Sequence, residues 1–439
     1  MLCGFVPSLA AEPVSFTREV APILVRNCQA CHGQREPKAE YQLLTFRNLL
    51  APGESQSPPI TPGKPGESYV YALLTATDDT RMPKDGDALL PQQIEIVKRW
   101  IEEGAKFDGA DETVLLASII PKLPNPDPPA AYRHPFPVTA VAFHPSGNEL
   151  AAAGYHEVTI WNPVDGTLLR RIKNVPERVH GLAYSNDGNV LVVSGGQPGV
   201  VGEVKLFNPA DGTLLKDLLT TSDVCFRVAI NAAGNKLAVA CSDRSIRIFD
   251  LATGNLDRSI ESHADWVVSV AWSPDGSKIA SASRDRLAKV FKADTGESIH
   301  AFGLHNEPVH AVAFLPGGNR VISGGADKRA RHWKLDDGQQ SGEAGFGGQV
   351  QDIITVGEKT FTAAADGNIL QHRTENYAHT KTYNGYSDVI YAMAYHPATE
   401  RLAAGCFNGE IRIMHAEAGN ELIKFIAAPG YTPPVAPKP

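Results

Sequence analysis

From Val138 onward, short apolar segments return at a fixed beat, and no other feature of the chain restricts its fold as much. They fall at residues 139–143, 181–184, 227–230, 269–272, 311–314, 352–354 and 392–395, the sixth (Asp352-Ile353-Ile354) being the weakest. Phe143 and Tyr395 lie 252 residues apart, six steps averaging 42. A second landmark keeps the same beat: Trp161, Phe207, Phe249, Phe291, Trp333, His372 and Met414 follow one another at gaps of 46, 42, 42, 42, 39 and 42. The long first gap predicts an insertion near Gln197-Pro198-Gly199-Val200. Turn signals such as Asn186-Asp187-Gly188, Ser273-Pro274-Asp275-Gly276 and Pro316-Gly317-Gly318 separate the apolar runs, as short antiparallel strands require. A unit of this size cannot bury both faces of its sheet alone. Stacking on neighbours does so, and seven units closed into a ring remove the open edges.

A period near 42 with four short strands per unit resembles the WD40 β-propeller. The fourth unit fits best, with His263, Asp265, Ser283, Asp285 and Phe291 at the repeat's offsets. The resemblance implies that His263, Ser283 and Asp285 tie strands and turn together by hydrogen bonds, and it argues against a catalytic triad there. Trp266 precedes a first strand, where the resembled propellers contact partners, so it is the candidate partner-binding residue, with rim packing as the alternative. Two segments compete for the outermost strand that closes the ring, 130–133 and 422–426. His144, His180, His310 and His396 come one per unit, without metal-ligand spacing.

The N-terminal part carries a different signature, Cys28-Gln29-Ala30-Cys31-His32. Cys-x-x-Cys-His is the attachment motif of c-type haem. Two thiols add to the two vinyl groups, and the adjacent histidine then stands under the iron. Residues 16–27 read as an amphipathic helix through Val20, Ile23 and Leu24, carrying the motif at its end, with Gly33 releasing the chain. A zinc site would need four ligands, and the next histidine or cysteine after His32 is His134, beyond a proline-rich stretch. A redox dithiol should sit beside a βαβ pattern, and none is visible.

The second axial ligand follows by elimination. Residues 1–133 hold one histidine, His32, and two methionines, Met1 and Met82. Met82 lies in Thr80-Arg81-Met82-Pro83-Lys84, a polar loop better suited to presenting a thioether than to filling a core. A second helix is expected over 90–104, with Pro91 in its first turn, a stripe of Ile94, Val97, Trp100 and Ile101, and Gly104 as its stop. Packing it on the first helix would close the haem pocket.

Residues 16–107 as a whole resemble the planctomycete-type cytochrome c domain. The likeness runs through Phe16-Thr17-Arg18-Glu19-Val20-Ala21-Pro22-Ile23-Leu24, the Cys28–Gly33 motif, Pro62-Gly63-Lys64-Pro65-Gly66-Glu67-Ser68, Arg81-Met82-Pro83 and Trp100-Ile101-Glu102-Glu103-Gly104-Ala105. It implies one covalent haem c with His32 and Met82 as axial ligands. The departures are Lys84 after Met82-Pro83 and the stretch around Glu40-Tyr41-Gln42-Leu43-Leu44.

The expected organisation is multidomain: a small all-α class I-like cytochrome c domain followed by an all-β seven-bladed WD40 propeller. Residues 1–11 read as a signal-peptide remnant, 12–110 as the cytochrome domain and 111–136 as a Pro-rich linker. Residues 137–428 form the propeller and 429–439 a Pro-rich tail. Cys225, Cys241 and Cys406 sit in strand-like runs as small buried hydrophobes. Cys225 and Cys241 flank one hairpin, where an oxidising compartment would permit a disulfide. The net charge of −8, with no basic cluster, gives nucleic acid no footing and makes a charge-selected partner basic. No apolar run reaches membrane-spanning length. These readings predict a periplasmic or otherwise extracytoplasmic electron carrier, more carrier or binding protein than enzyme, whose propeller docks a redox partner protein. The alternatives are a propeller scaffold with a sensing or stabilising haem, and an oxidoreductase with its active site in the propeller.

Overall fold

Four aromatic rings organise residues 12–120: Phe16, Phe46, Trp100 and Phe107 pack with centroids 4.7–6.3 Å apart. The structure is a computed structural model that describes residues 12–33, 37–84, 86–120 and 124–431, without the side chains of Ala30, Ala117 and Ser118. The signal-peptide remnant and residues 432–439 of the tail lie outside the described residues. Two compact units divide the chain, Met1–Leu123 and Pro124–Pro439.

In the first unit, Ser15 starts the first helix. Its hydroxyl accepts from the Arg18 N–H at 3.1 Å, and its own N–H donates to Glu19 Oε2 at 2.8 Å. A π-helical turn, Phe16–Val20, leads into α1, Ala21–His32, which has Pro22 in its first turn. Then come α2, Phe46–Leu50, and α3, Tyr69–Thr75. The expected second helix is α4, Pro91–Glu102, with Gly104 beyond its end at φ 101°. Its buried stripe is Val97, Trp100 and Ile101, and Trp100 packs on Phe16 of the π turn. A last short helix, α5, spans Leu116–Ile119.

The proline-rich stretch expected as a linker over 111–136 has two fates. Leu116 is fully buried in the first unit's core, and Thr45 and Leu115 form an antiparallel bridge, so 111–120 belongs to that unit. Residues 124–137 belong to the propeller. Proline offers no N–H, so the segment is held by the carbonyls and by the bonds of its few other residues. Arg171 donates to the oxygens of Pro129 and Ala130, while Asn125 bonds Asn174 and Glu203.

The second unit is a propeller of seven four-stranded antiparallel sheets, each built from consecutive strands in sequence order. The blades span 141–172, 178–221, 225–261, 267–302, 309–345, 350–383 and 390–426. Each apolar segment of the repeat is an innermost strand, and each landmark residue from Trp161 to Met414 sits on a third strand. The insertion is a longer hairpin joining Leu191–Gln197 to Val201–Phe207. Turns are fixed locally. In the fourth blade Asp275 accepts from the Ser273 hydroxyl and the Ser277 N–H, and Gly276 takes φ 71°.

Core lies between blades rather than within them. Ile246, Ile248 and Ile260 of blade 3 pack with Val267, Val270 and Ile279 of blade 4. Val141, Leu150 and Trp161 of blade 1 pack with Ala403, Ile411 and Ile413 of blade 7, which closes the ring. The closing strand is Glu421–Ile426, whereas 130–133 forms no strand. The closure is tied by His396 Nε2 to the Pro145 carbonyl at 3.0 Å and by Val138 N–H to the Cys406 carbonyl at 3.0 Å.

Candidate functional site

Cys28 and Cys31 stand one helical turn apart at the end of α1, and His32 is its last residue. Gly33 follows because a Cβ there would come within 2.6 Å of the Gln29 carbonyl oxygen. The returning chain then fastens the motif. His32 O accepts from Leu43 N–H at 2.8 Å, Gln29 Nε2 donates to Leu43 O at 2.6 Å, and His32 Nδ1 lies 3.0 Å from Tyr41 O. A carbonyl only accepts, so Nδ1 carries the proton and Nε2 keeps a free lone pair for a metal. Tyr41 is itself anchored through its hydroxyl to Leu49 O at 2.8 Å, and its ring meets His32 edge-on at 5.5 Å.

Cys28, His32 and Met82 line one cavity of about 300 Å³. Its other walls are largely apolar: Tyr41 and Leu43 after the motif, Pro59, and Val70, Leu73 and Leu74 on α3. Cys31 lies on the exposed side of the same helix end. Burial, with Cys31 beside it, pushes the Cys28 thiol up to about 11. Met82 is placed by its N–H donating to Leu73 O at 3.0 Å, after a turn in which Asp78 accepts from Thr80. One imidazole nitrogen, one thioether and the Cys28 thiol on an apolar cavity, with the Cys31 thiol on the exposed side of the same helix end, are the donor set that a covalent haem needs. The residues fit the group.

The sequence pattern of α4 predicts that this helix closes the pocket. In the structure α4 instead supports the Phe16 cluster, and α3 supplies the wall. Val70, Leu73 and Leu74 at helical spacing were the signal for it. The carbonyl of Tyr41 carries no side-chain signature and was not foreseeable from residue type.

In the propeller, His263 Nδ1 bonds Asp285 at 2.8 Å, but its Nε2 bonds Ser281 Oγ at 2.7 Å, not Ser283. Ser283 instead donates to the Asp265 carbonyl and accepts from Asp285 N–H. Blade 5 holds the fuller network. Trp333 Nε1 donates to Ser323 Oγ at 2.7 Å, Ser323 bonds His305 Nε2 at 2.8 Å, and His305 Nδ1 meets Asp327 at 3.0 Å. Phe291 replaces that tryptophan in blade 4 and cannot extend the chain. These side chains are buried and bonded to one another, as a framework requires.

Trp266 is half-buried, with the Arg284 guanidinium 4.3 Å over its ring and Phe226 5.6 Å away. A larger cavity of about 680 Å³ opens nearby, lined by Phe226, Arg227, His180, His310 and Tyr391. Arg227 Nη1 reaches Asp352 Oδ1 at 2.6 Å, linking blades 3 and 6, while Asp352 Oδ2 accepts from Met393 N–H of blade 7. Burial lowers His180 to about 4, with Arg178 contributing, so its imidazole is neutral. Among the described residues, no helix is long and apolar enough to cross a membrane.

The planctomycete cytochrome C family matches residues 28–86, which contain both motif cysteines, His32 and Met82. The WD domain, G-beta repeat family matches 130–162, 254–292, 296–334 and 378–414. No curated protein matches the chain. The first three strands of blades 2, 3 and 6 fall outside these matches, yet these blades fold as the same four-stranded sheets. The chain therefore joins a domain of planctomycete cytochrome C type to a seven-bladed propeller of WD40 repeats.

Proposed function

We propose that this protein is an extracytoplasmic monohaem c-type cytochrome that passes single electrons, with its propeller as the docking platform for a redox partner. The observation that carries the reading is the convergence of Cys28, His32 and Met82 on one apolar cavity. Cys28 and Cys31 would hold haem c through two thioethers, and His32 Nε2 and Met82 Sδ would bind its iron. Bound there, haem iron supplies a reversible one-electron couple.

The chain's own groups set the conditions. Tyr41 O holds the His32 ring by its Nδ1–H and fixes the tautomer. The apolar walls keep water away, and a thioether donor favours the ferrous state, so both raise the potential. Export is supported by the haem motif, because covalent haem of this type is assembled outside the bacterial cytoplasm, and by the apolar N-terminal stretch ending in Ala10-Ala11. On the propeller, the aromatic and cationic group of Phe226, Trp266 and Arg284 suits a protein contact. The buried Ser–His–Asp sets are committed to the framework, which weighs against an active site there.

Voltammetry of the haem-loaded protein tests this reading. One reversible one-electron wave, and no binding of carbon monoxide without loss of a protein ligand, is the expected result. A haem that binds carbon monoxide freely and cycles irreversibly would move the assignment to a haem-sensing scaffold.

A further inference from the structure

Within the third blade, Cys225 begins the strand Cys225–Ile230 and Cys241 ends its partner, Lys236–Cys241. The two residues face each other in the antiparallel register. Their sulfurs lie 4.0 Å apart as free thiols, and both side chains are wholly buried.

The other blades show that the fold does not ask for this pair. The same cross-strand position is Val179/Gly195 in blade 2, Val267/Ser283 in blade 4, Val309/Gly325 in blade 5, Val350/Ala364 in blade 6 and Ile390/Cys406 in blade 7. An apolar residue opposite a small one satisfies the packing in each. Only blade 3 of these six places sulfur on both strands.

We propose that Cys225 and Cys241 are a disulfide-forming site, closed while the exported chain folds by thiol–disulfide exchange with a disulfide-bearing oxidant. The bond pins the strand that carries Phe226 and Arg227 to the large cavity. One thiol of the pair loses its proton in the folding chain, and its thiolate attacks the oxidant's S–S bond, releasing one half as a thiol. The other, on losing its proton, then displaces the second half from its partner. Two S–H bonds are exchanged for one S–S bond, and the oxidant's disulfide becomes two thiols. Burial of both sulfurs confines the step to the folding chain and afterwards shields the bond from reductants.

Closure in the cell rests on the extracytoplasmic reading above, whereas the readiness of the pair to close does not. The test separates them. Full-length holo-protein is unfolded, refolded in glutathione buffers of graded oxidised-to-reduced ratio, and alkylated after a second unfolding for peptide mass spectrometry. The proposal expects Cys225 and Cys241 to lose alkylation together in oxidising buffer, their joined peptides lacking two hydrogens. Cys406 should stay alkylated. The thermal midpoint should rise with closure, and a Cys225→Val/Cys241→Ala double variant, copying blade 6, should lose that redox dependence. Both thiols still alkylated at every ratio would overturn the proposal. A pair that closes in glutathione but stays free in protein matured in an exporting host would likewise overturn the proposal, since the exported chain would then fold without closing it.

Discussion

The Nδ1 atom of His32 lies 3.0 Å from the carbonyl oxygen of Tyr41, nine residues on, and that contact decides which imidazole nitrogen can meet a metal. It depends on the chain turning back after α1, where Leu43 N–H bonds the His32 carbonyl and the Tyr41 hydroxyl is tied to Leu49 O. The His32 side of the candidate site is thus held by backbone, and backbone is placed by one tyrosine.

Replacing Tyr41 therefore has graded effects. Tyr41→Phe removes one hydrogen bond and should lower stability by about 1 kcal/mol, with haem attachment retained. Tyr41→Ala also removes the ring packed against His32 and should cost about 3–5 kcal/mol. Denaturant titration read at the haem absorption band measures both. Equal effects of the two variants would show that the ring does not support His32.

Blades 4 and 5 predict a difference between two otherwise similar serines. Ser323→Ala leaves two buried nitrogens without a partner, Trp333 Nε1 and His305 Nε2, whereas Ser281→Ala strands only His263 Nε2. At roughly 1–3 kcal/mol per stranded group, Ser323→Ala should be the more damaging by about that amount. Melting of the two variants under identical conditions tests the order, and a larger loss for Ser281→Ala would contradict it.

Acid sensitivity follows from Asp285. Burial raises its pKa, but the His263 imidazole and the Ala264 and Leu287 N–H groups outweigh burial and hold it at about 2. An unfolded aspartate titrates near 3.9. The folded value is the lower one, so the stabilisation is complete above about pH 4 and is lost as pH falls towards 2. It amounts to about 2 kcal/mol. Asp285→Asn should flatten that part of the urea-midpoint profile, and an unchanged acid limb would count against the assignment.

Much of the propeller was legible because its strands repeat one burial problem seven times. Apolar segments such as Ala311-Val312-Ala313-Phe314 mark innermost strands directly. Finer detail was less visible. Ser281 and Ser283 lie two apart on one strand and so share a face, and residue offsets alone could not say which one His263 chooses. The fuller network of blade 5 uses the same offsets, shifted by 42 residues, but its consequence depends on Trp333 where blade 4 has Phe291. Closure of the ring by Glu421–Ile426, not by 130–133, was undecidable because both segments align with the repeat's outermost strand.

The candidate haem-site residues stood out for a different reason: one Cys-x-x-Cys-His motif groups Cys28, Cys31 and His32, and Met82 was the only candidate thioether near it. What was hidden lay in the walls. The helix α3 is only seven residues long, too short for periodicity to stand out, yet it supplies Val70, Leu73 and Leu74. The proline-rich stretch from 111 was equally opaque, because the burial of Leu116 depends on Thr45 and Leu44, some 70 residues earlier.

The central claim is tested most directly by absorption spectra of the oxidised and reduced protein, matured in an exporting host with haem-ligation machinery. The account predicts a c-type spectrum, haem that stays with the chain after denaturation, and a far-red methionine–iron band that disappears in Met82→Ala. A protein without covalent haem would contradict the account at its base, and a covalent haem whose far-red band survives Met82→Ala would contradict the assignment of the sixth ligand.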